Sequence, residues 1–148
     1  MYKISTLVLC FIIFVSCTTR PNQYIKVGKN EQQRHGFWVE NSSADIGDLI
    51  EKGKYKKGVR VGTWKSTHEN TLYQKERYRK NITKTKTYYP NGNMKEKGQS
   101  RMDVNEIGSH WYYYGDWKYY NENGKLLYIK KYNQGKKIDS ISLIKSKV

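Results

Sequence analysis

Two groups of side chains in this sequence have the types and spacing to do chemistry. One is the thiol of Cys17, which follows the small residue Ser16 at the end of the apolar run Leu7–Val15. A thiol placed there could be alkylated by a lipid donor to form a thioether. Cleavage just ahead of it would then free an amine that accepts a further acyl chain. The other is the stretch Trp111–Tyr120, WYYYGDWKYY, with seven aromatic rings in ten residues. Rings beside Lys118 and Lys125 could stack on sugars or form a cation–aromatic surface; equally, they could be packing residues of the fold. Strand alternation puts Trp111, Tyr113 and Trp117 on one side, with Gly115 the point where that alternation could break. These three and Lys118 are the candidate binding residues.

Catalytic patterns are absent from the sequence. His35, His68 and His110 lie far apart, with no His-Glu-x-x-His spacing and no other metal-ligand spacing. Gly-x-Ser-x-Gly and phosphate-cradling loops do not occur. Asp45, Asp48 and Glu51 form a small acidic cluster that reads as a solvated loop or helical turn. The expectation is a protein that is not an enzyme, with no cofactor and no metal.

Lys3 ahead of the nine apolar residues Leu7–Val15 supplies the basic and apolar parts of an export signal. A membrane-spanning helix needs about 20 apolar residues, so this run is too short to span. Cys10 is the poorer candidate thiol because bulky Leu9 precedes it. An ordinary export signal, or a buried N-terminal strand with an incidental cysteine, is the alternative reading. The tetrapeptide Phe14-Val15-Ser16-Cys17 resembles the end of a bacterial lipoprotein signal. That resemblance implies that residues 1–16 are removed and that Cys17 becomes an acylated N-terminus on a membrane. Cys10 would leave with the signal, so no disulfide framework could form. One acyl chain gives marginal anchoring, whereas two or three anchor stably. In such lipoproteins an Asp after the Cys favours the inner membrane and an acidic run favours surface export. Thr18–Gln23 carry no acid, which implies an outer-membrane anchor facing the periplasm.

The chain carries a formal charge of +15, and Lys3 is the sole charged residue among 1–16, so loss of that segment lowers the charge by one. Such a field attracts polyanions. Outside the cytoplasm the expected partners are an envelope protein, a glycan or anionic lipid, and nucleic acid is not expected. Lysines that keep exposed strands soluble and block edge pairing are the plainer explanation.

Repetition organises the remainder. Gly115–Ile138 reads as Gly-x-Trp, an Asn-Gly turn, a second strand and Tyr-x-x-Gly. In the unit from Val61, Gly62, Trp64, Leu72 and Tyr78 match Gly115, Trp117, Leu126 and Tyr132. The segment from Thr87 repeats the centre: Tyr89, Asn91, Gly92 and Met94 match Tyr120, Asn123, Gly124 and Leu126 if one turn residue is deleted. A degenerate first copy starts at Gly36 and Trp38 and ends at Tyr55 and Gly58. Asn91-Gly92 and Asn123-Gly124 can adopt the positive φ of tight hairpin turns. Gly28, Gly53, Gly58, Gly98 and Gly135 are expected between strands. The predicted fold is all-β, a meander of about eight short antiparallel strands built from four imperfect β-hairpin repeats. Its parts are a signal at 1–16, a tether at 17–33, repeats at 34–138 and a basic tail at 139–148, with Gln99–Gly108 a protruding loop.

Through Gly-x-Trp, Tyr-x-x-Asn-Gly and Tyr-x-x-Gly-Lys-Lys, the segment Arg34–Ile138 resembles the MORN-repeat-variant family. That family's bacterial members are often lipoproteins or secreted proteins, some carrying an antitoxin label, and related repeats serve as membrane-associated scaffolds. The resemblance implies a lipid-anchored envelope scaffold, with an antitoxin or immunity protein as the alternative.

Overall fold

Alternating side chains and closely spaced turn residues favour strands joined by tight hairpins, and the computed structural model contains that arrangement. It describes residues 20–106 and 108–144. The expected signal, Cys17 and the last four residues of the tail lie outside the described residues. Ten strands follow in chain order: β1 (Gln23–Lys26), β2 (Gln32–Ala44), β3 (Gly47–Lys56), β4 (Val59–His68) and β5 (Thr71–Arg79), then β6 (Ile82–Tyr88), β7 (Met94–Asn105), β8 (Gly108–Tyr120), β9 (Leu126–Asn133) and β10 (Lys136–Ser142). Each pairs antiparallel with its sequence neighbours in one open sheet ordered β1 to β10.

The all-β meander of hairpins is therefore present, with ten strands where about eight short ones were expected. β1 lies inside the stretch read as a tether, and β10 continues into the stretch read as a tail. β1 carries no repeat signature and β10 only the Lys136-Lys137 that ends the last one, because an edge strand packs on one neighbour and needs little apolar sequence. The supposed loop Gln99–Gly108 is largely strand: Gln99 pairs with Tyr114 and Asn105 with Gly108, so β7 and β8 form a long hairpin.

Turn chemistry explains the connections. Lys57-Gly58, Glu69-Asn70 and Gln134-Gly135 all have positive φ, the geometry that matches strand twist in two-residue turns. At the two Asn-Gly sites only the glycine takes positive φ. Tyr89 N–H donates to Asn93 O (2.8 Å) and Gly92 N–H to Tyr89 O (2.9 Å). The equivalents are Asn121 N–H to Lys125 O (3.0 Å) and Gly124 N–H to Asn121 O (2.9 Å). The two turns thus superpose with no deletion, and Tyr88, paired with Met94, is the counterpart of Tyr120, paired with Leu126. They also bond to each other: Tyr89 OH donates to Tyr120 O (2.8 Å) and Asn91 Nδ2 to Glu122 O (2.9 Å).

A single-layer sheet has no second layer to bury its rings, so they pack sideways along one face. Tyr24, Trp38, Tyr55 and Trp64 form a row across β1 to β4 with edge-to-face contacts of 5.2, 5.4 and 5.0 Å, the arrangement ring quadrupoles favour. A second group on the same face joins Trp111, Tyr113, Trp117 and Tyr132. Between them lie buried Thr83, Thr85, Thr87 and Ser100, small side chains that leave room for the rings on either side.

Gly-x-Trp makes both ring groups possible. Gly62-Thr63-Trp64 stands opposite Gly53 alone, between the pairs Lys54–Val61 and Lys52–Lys65. Gly115-Asp116-Trp117 stands opposite Gly98 alone in the same way. In each bulge the first glycine has a φ of +68°, disfavoured for other residues, and the indole folds down onto the facing glycine. The indole N–H then donates to the carbonyl after that glycine, Trp64 to Lys54 O (3.2 Å) and Trp117 to Gln99 O (2.9 Å). Gly53 and Gly98 were expected between strands; they are instead inside β3 and β7, because an indole needs a position without Cβ beneath it. In the first copy Asn22 faces the bulge, its side chain accepting from Val39 N–H (2.8 Å) and donating to Val39 O (2.9 Å).

Candidate functional site

The aromatic candidates divide. Trp111, Tyr113 and Trp117 share a face, with ring centroids 5.8 and 4.3 Å apart in succession. The three-for-one bulge at Gly115 preserves the alternation that a single inserted residue would have reversed. Trp117 is 3% exposed and is a packing residue, whereas Trp111 is 50% exposed on the projecting part of the β7–β8 hairpin. Lys118 is not with them. It pairs with Lys97 on the opposite face and lines a concavity there.

That opposite face holds the feature that reading along the chain missed. β3 contributes Lys52, paired with Lys65 of β4. Lys65 pairs with Lys75 of β5, and Lys75 with Lys86 of β6. Lys86 pairs with Lys97 of β7, and Lys97 with Lys118 of β8. Six lysines thus stand side by side across six consecutive strands. A second cationic pair, Arg77 and Lys84, flanks the row. The concavity beneath has a volume of about 500 Å³, and Asp116 is its one acidic lining residue. The signal was present as alternation, in Lys84-Thr85-Lys86-Thr87 for example, but the alignment depends on register between strands.

The acids were sorted the other way. Glu40, Glu51, Glu76 and Glu96 lie on the aromatic face, each with local partners. Arg60 Nη2 bonds Glu40 and also Glu51, the latter at 2.6 Å, while Arg34 Nη1 reaches Glu40 at 3.0 Å and the Tyr55 hydroxyl at 2.9 Å. Arg60 also lies 4.0 Å over the Trp64 ring. Tyr78 OH donates to Glu76 (2.7 Å), and Thr87 Oγ1 to Glu96 (3.4 Å). Burial, then the Glu76 charge, holds the Tyr78 phenol well above its ordinary value. Network and aromatic row make one polar–aromatic layer that keeps these four glutamates on the face away from the lysine row.

The remaining candidates are dispersed. Glu51 faces Arg60 and Ser42, so the cluster with Asp45 and Asp48 is not a joint site. His68 Nδ1 lies 3.1 Å from Asp48 O, and His110 stacks on Tyr112 at 5.7 Å. Among the described residues no group of three His, Cys, Asp or Glu side chains is placed to hold a metal ion. No family model, no curated protein and no solved structure matches the chain.

Proposed function

We propose that this chain is a lipid-tethered binding and scaffold module of the cell envelope, held by an acylated Cys17 and engaging an anionic component through its sheet. The supporting observation is the sorting of charge. The interior strands β3, β5 and β7 each carry lysine on one face and glutamate on the other, and an interior strand has no edge for lysine to protect. The Phe14–Cys17 tetrapeptide and the resemblance to MORN-variant repeats support the tether and the scaffold role.

The test has two parts. Intact-mass analysis of the protein extracted from its membranes should find a chain beginning at Cys17 and carrying two or three acyl groups. Detergent-solubilised full-length protein, mixed with isolated envelope fragments, should sediment with them at low salt and be released as salt rises. An unmodified chain in the soluble fraction, or one that ignores envelope material at low salt, overturns the proposal. Recovery of a single protein in a one-to-one, salt-resistant complex favours the toxin-neutralising alternative.

A further inference from the structure

We infer that the lysine row is a track for a flexible linear polyanion carrying closely spaced phosphates, laid across the strands and not along them. The inference deepens the binding role proposed above and rests on it.

Like charges directly opposite on neighbouring strands destabilise a sheet, and here five such contacts run in succession from Lys52 to Lys118. Relief was one residue away in the sequence: Glu51, Glu76 and Glu96 are immediate chain neighbours of Lys52, Lys75 and Lys97. Exchanging any of those pairs would interleave charges, yet all three glutamates face the aromatic side. Solubility alone is served by mixed charges as well as by like ones. The arrangement therefore suits an external anion that supplies the missing countercharge.

Geometry decides among anions. Adjacent strands are about 4.8 Å apart, so the row extends roughly 24 Å. Each step also rotates by about 20–25°, so the ammonium groups turn through roughly 100° or more from β3 to β8. A flat bilayer can meet only part of such a row, whereas a flexible chain can follow it. The concavity at its centre, between Lys75, Arg77, Lys84, Lys86, Lys97 and Lys118, has no aromatic lining residue. It lacks the stacking platforms that single-stranded nucleic acid uses. Phosphate suits the spacing because its several oxygens can accept from two neighbouring ammonium groups at once.

The experiment uses the full-length protein in neutral detergent, titrated with linear polyphosphate of several tens of units and with tripolyphosphate. Phospholipid vesicles with and without anionic lipid form a separate arm, because the acyl anchor inserts into both. Long polyphosphate should bind roughly tenfold or more tightly than tripolyphosphate, with an affinity that falls steeply with salt. The triple variant Lys75→Gln/Lys86→Gln/Lys97→Gln should lose roughly tenfold or more. An equal change of charge at turn and end positions, Lys29→Gln/Lys125→Gln/Lys136→Gln, should lose far less. A melting temperature of the row variant at or above that of the parent confirms that it is folded. Equal loss in both variants, or capture by anionic vesicles without binding of long polyphosphate, overturns the track while leaving the envelope-binding role standing. Failure to bind any anionic material removes both.

Discussion

Trp64 lies with its indole against the backbone of Gly53 on the preceding strand, in the space that a side chain there would fill. Trp117 lies over Gly98 in the same way. A methyl group at either glycine would overlap the ring, and each indole is also held by its N–H bond to the next carbonyl. Gly53→Ala and Gly98→Ala should each destabilise the protein by about 3 kcal/mol, the upper part of the overpacking range. Gly28, where an added Cβ meets nothing closer than 3.8 Å, is the control and should tolerate Ala. Denaturant titration measures all three; a neutral Gly53→Ala would show that the ring is not seated there.

Neutralising the centre of the lysine row should raise stability. Lys75→Gln or Lys86→Gln removes two direct like-charge contacts from an interior strand, and each should gain a few tenths of a kcal/mol. Added salt should stabilise the parent more than the variants, because screening performs the same task. Loss of stability in both variants would mean that their aliphatic stems matter more than their charges.

Arg60 should be the most consequential cation for folding. Its guanidinium bonds two carboxylates whose side chains are 19% and 14% exposed, so removing it leaves Glu51 with the Ser42 hydroxyl and no cation, and Glu40 with Arg34 as its remaining cation. Arg60→Met should lose about 3 kcal/mol, the lower end of the range for breaking a buried pair. Lys131, whose contact with Asp139 is 3.7 Å and largely exposed, should lose less than about 0.5 kcal/mol when changed to Met. Thermal unfolding of the two variants compares them directly, and similar losses would count against the network.

Alkaline pH should weaken the fold through its tyrosines. Burial, followed by Glu76 for Tyr78 and by Tyr132 for Tyr119, lifts both phenols above the ordinary value of 10.0. A phenol protonated when folded and ionised when unfolded contributes stability that is complete below pH 10 and is lost as pH rises toward its folded value. The comparison is with Tyr78→Phe, whose stability should decline less steeply above pH 10. Tyrosinate absorbance should appear in two phases, the second with unfolding; a single step for every tyrosine would contradict the burial.

Much of the hairpin order was readable from local signals. Asn-Gly and Tyr-x-x-Gly mark turns because few residues accept positive φ, and Gly-x-Trp marks the bulges because a bend and a large ring are needed together. Gly53 and Gly98 escaped that reading: a glycine between polar residues, as in Lys52-Gly53-Lys54 and Lys97-Gly98-Gln99, signals a turn until its partner on the next strand is known. β1 and β10 escaped it because edge strands need few apolar residues. Of the four candidate binding residues, alternation grouped Trp111, Tyr113 and Trp117 correctly and also separated Trp117 from Lys118, so their joint site was already in tension with strand geometry. The lysine row was hidden for a different reason. Its members are 10 to 21 positions apart along the chain, and only cross-strand register brings them side by side.

Because every described strand pairs solely with its chain neighbours, the described residues are assembled like a ladder with no closing rung. One more hairpin at either end would add two strands without disturbing those already in place. The reach of the cationic surface is then a number that evolution can count, two steps at a time, through simple tandem duplication.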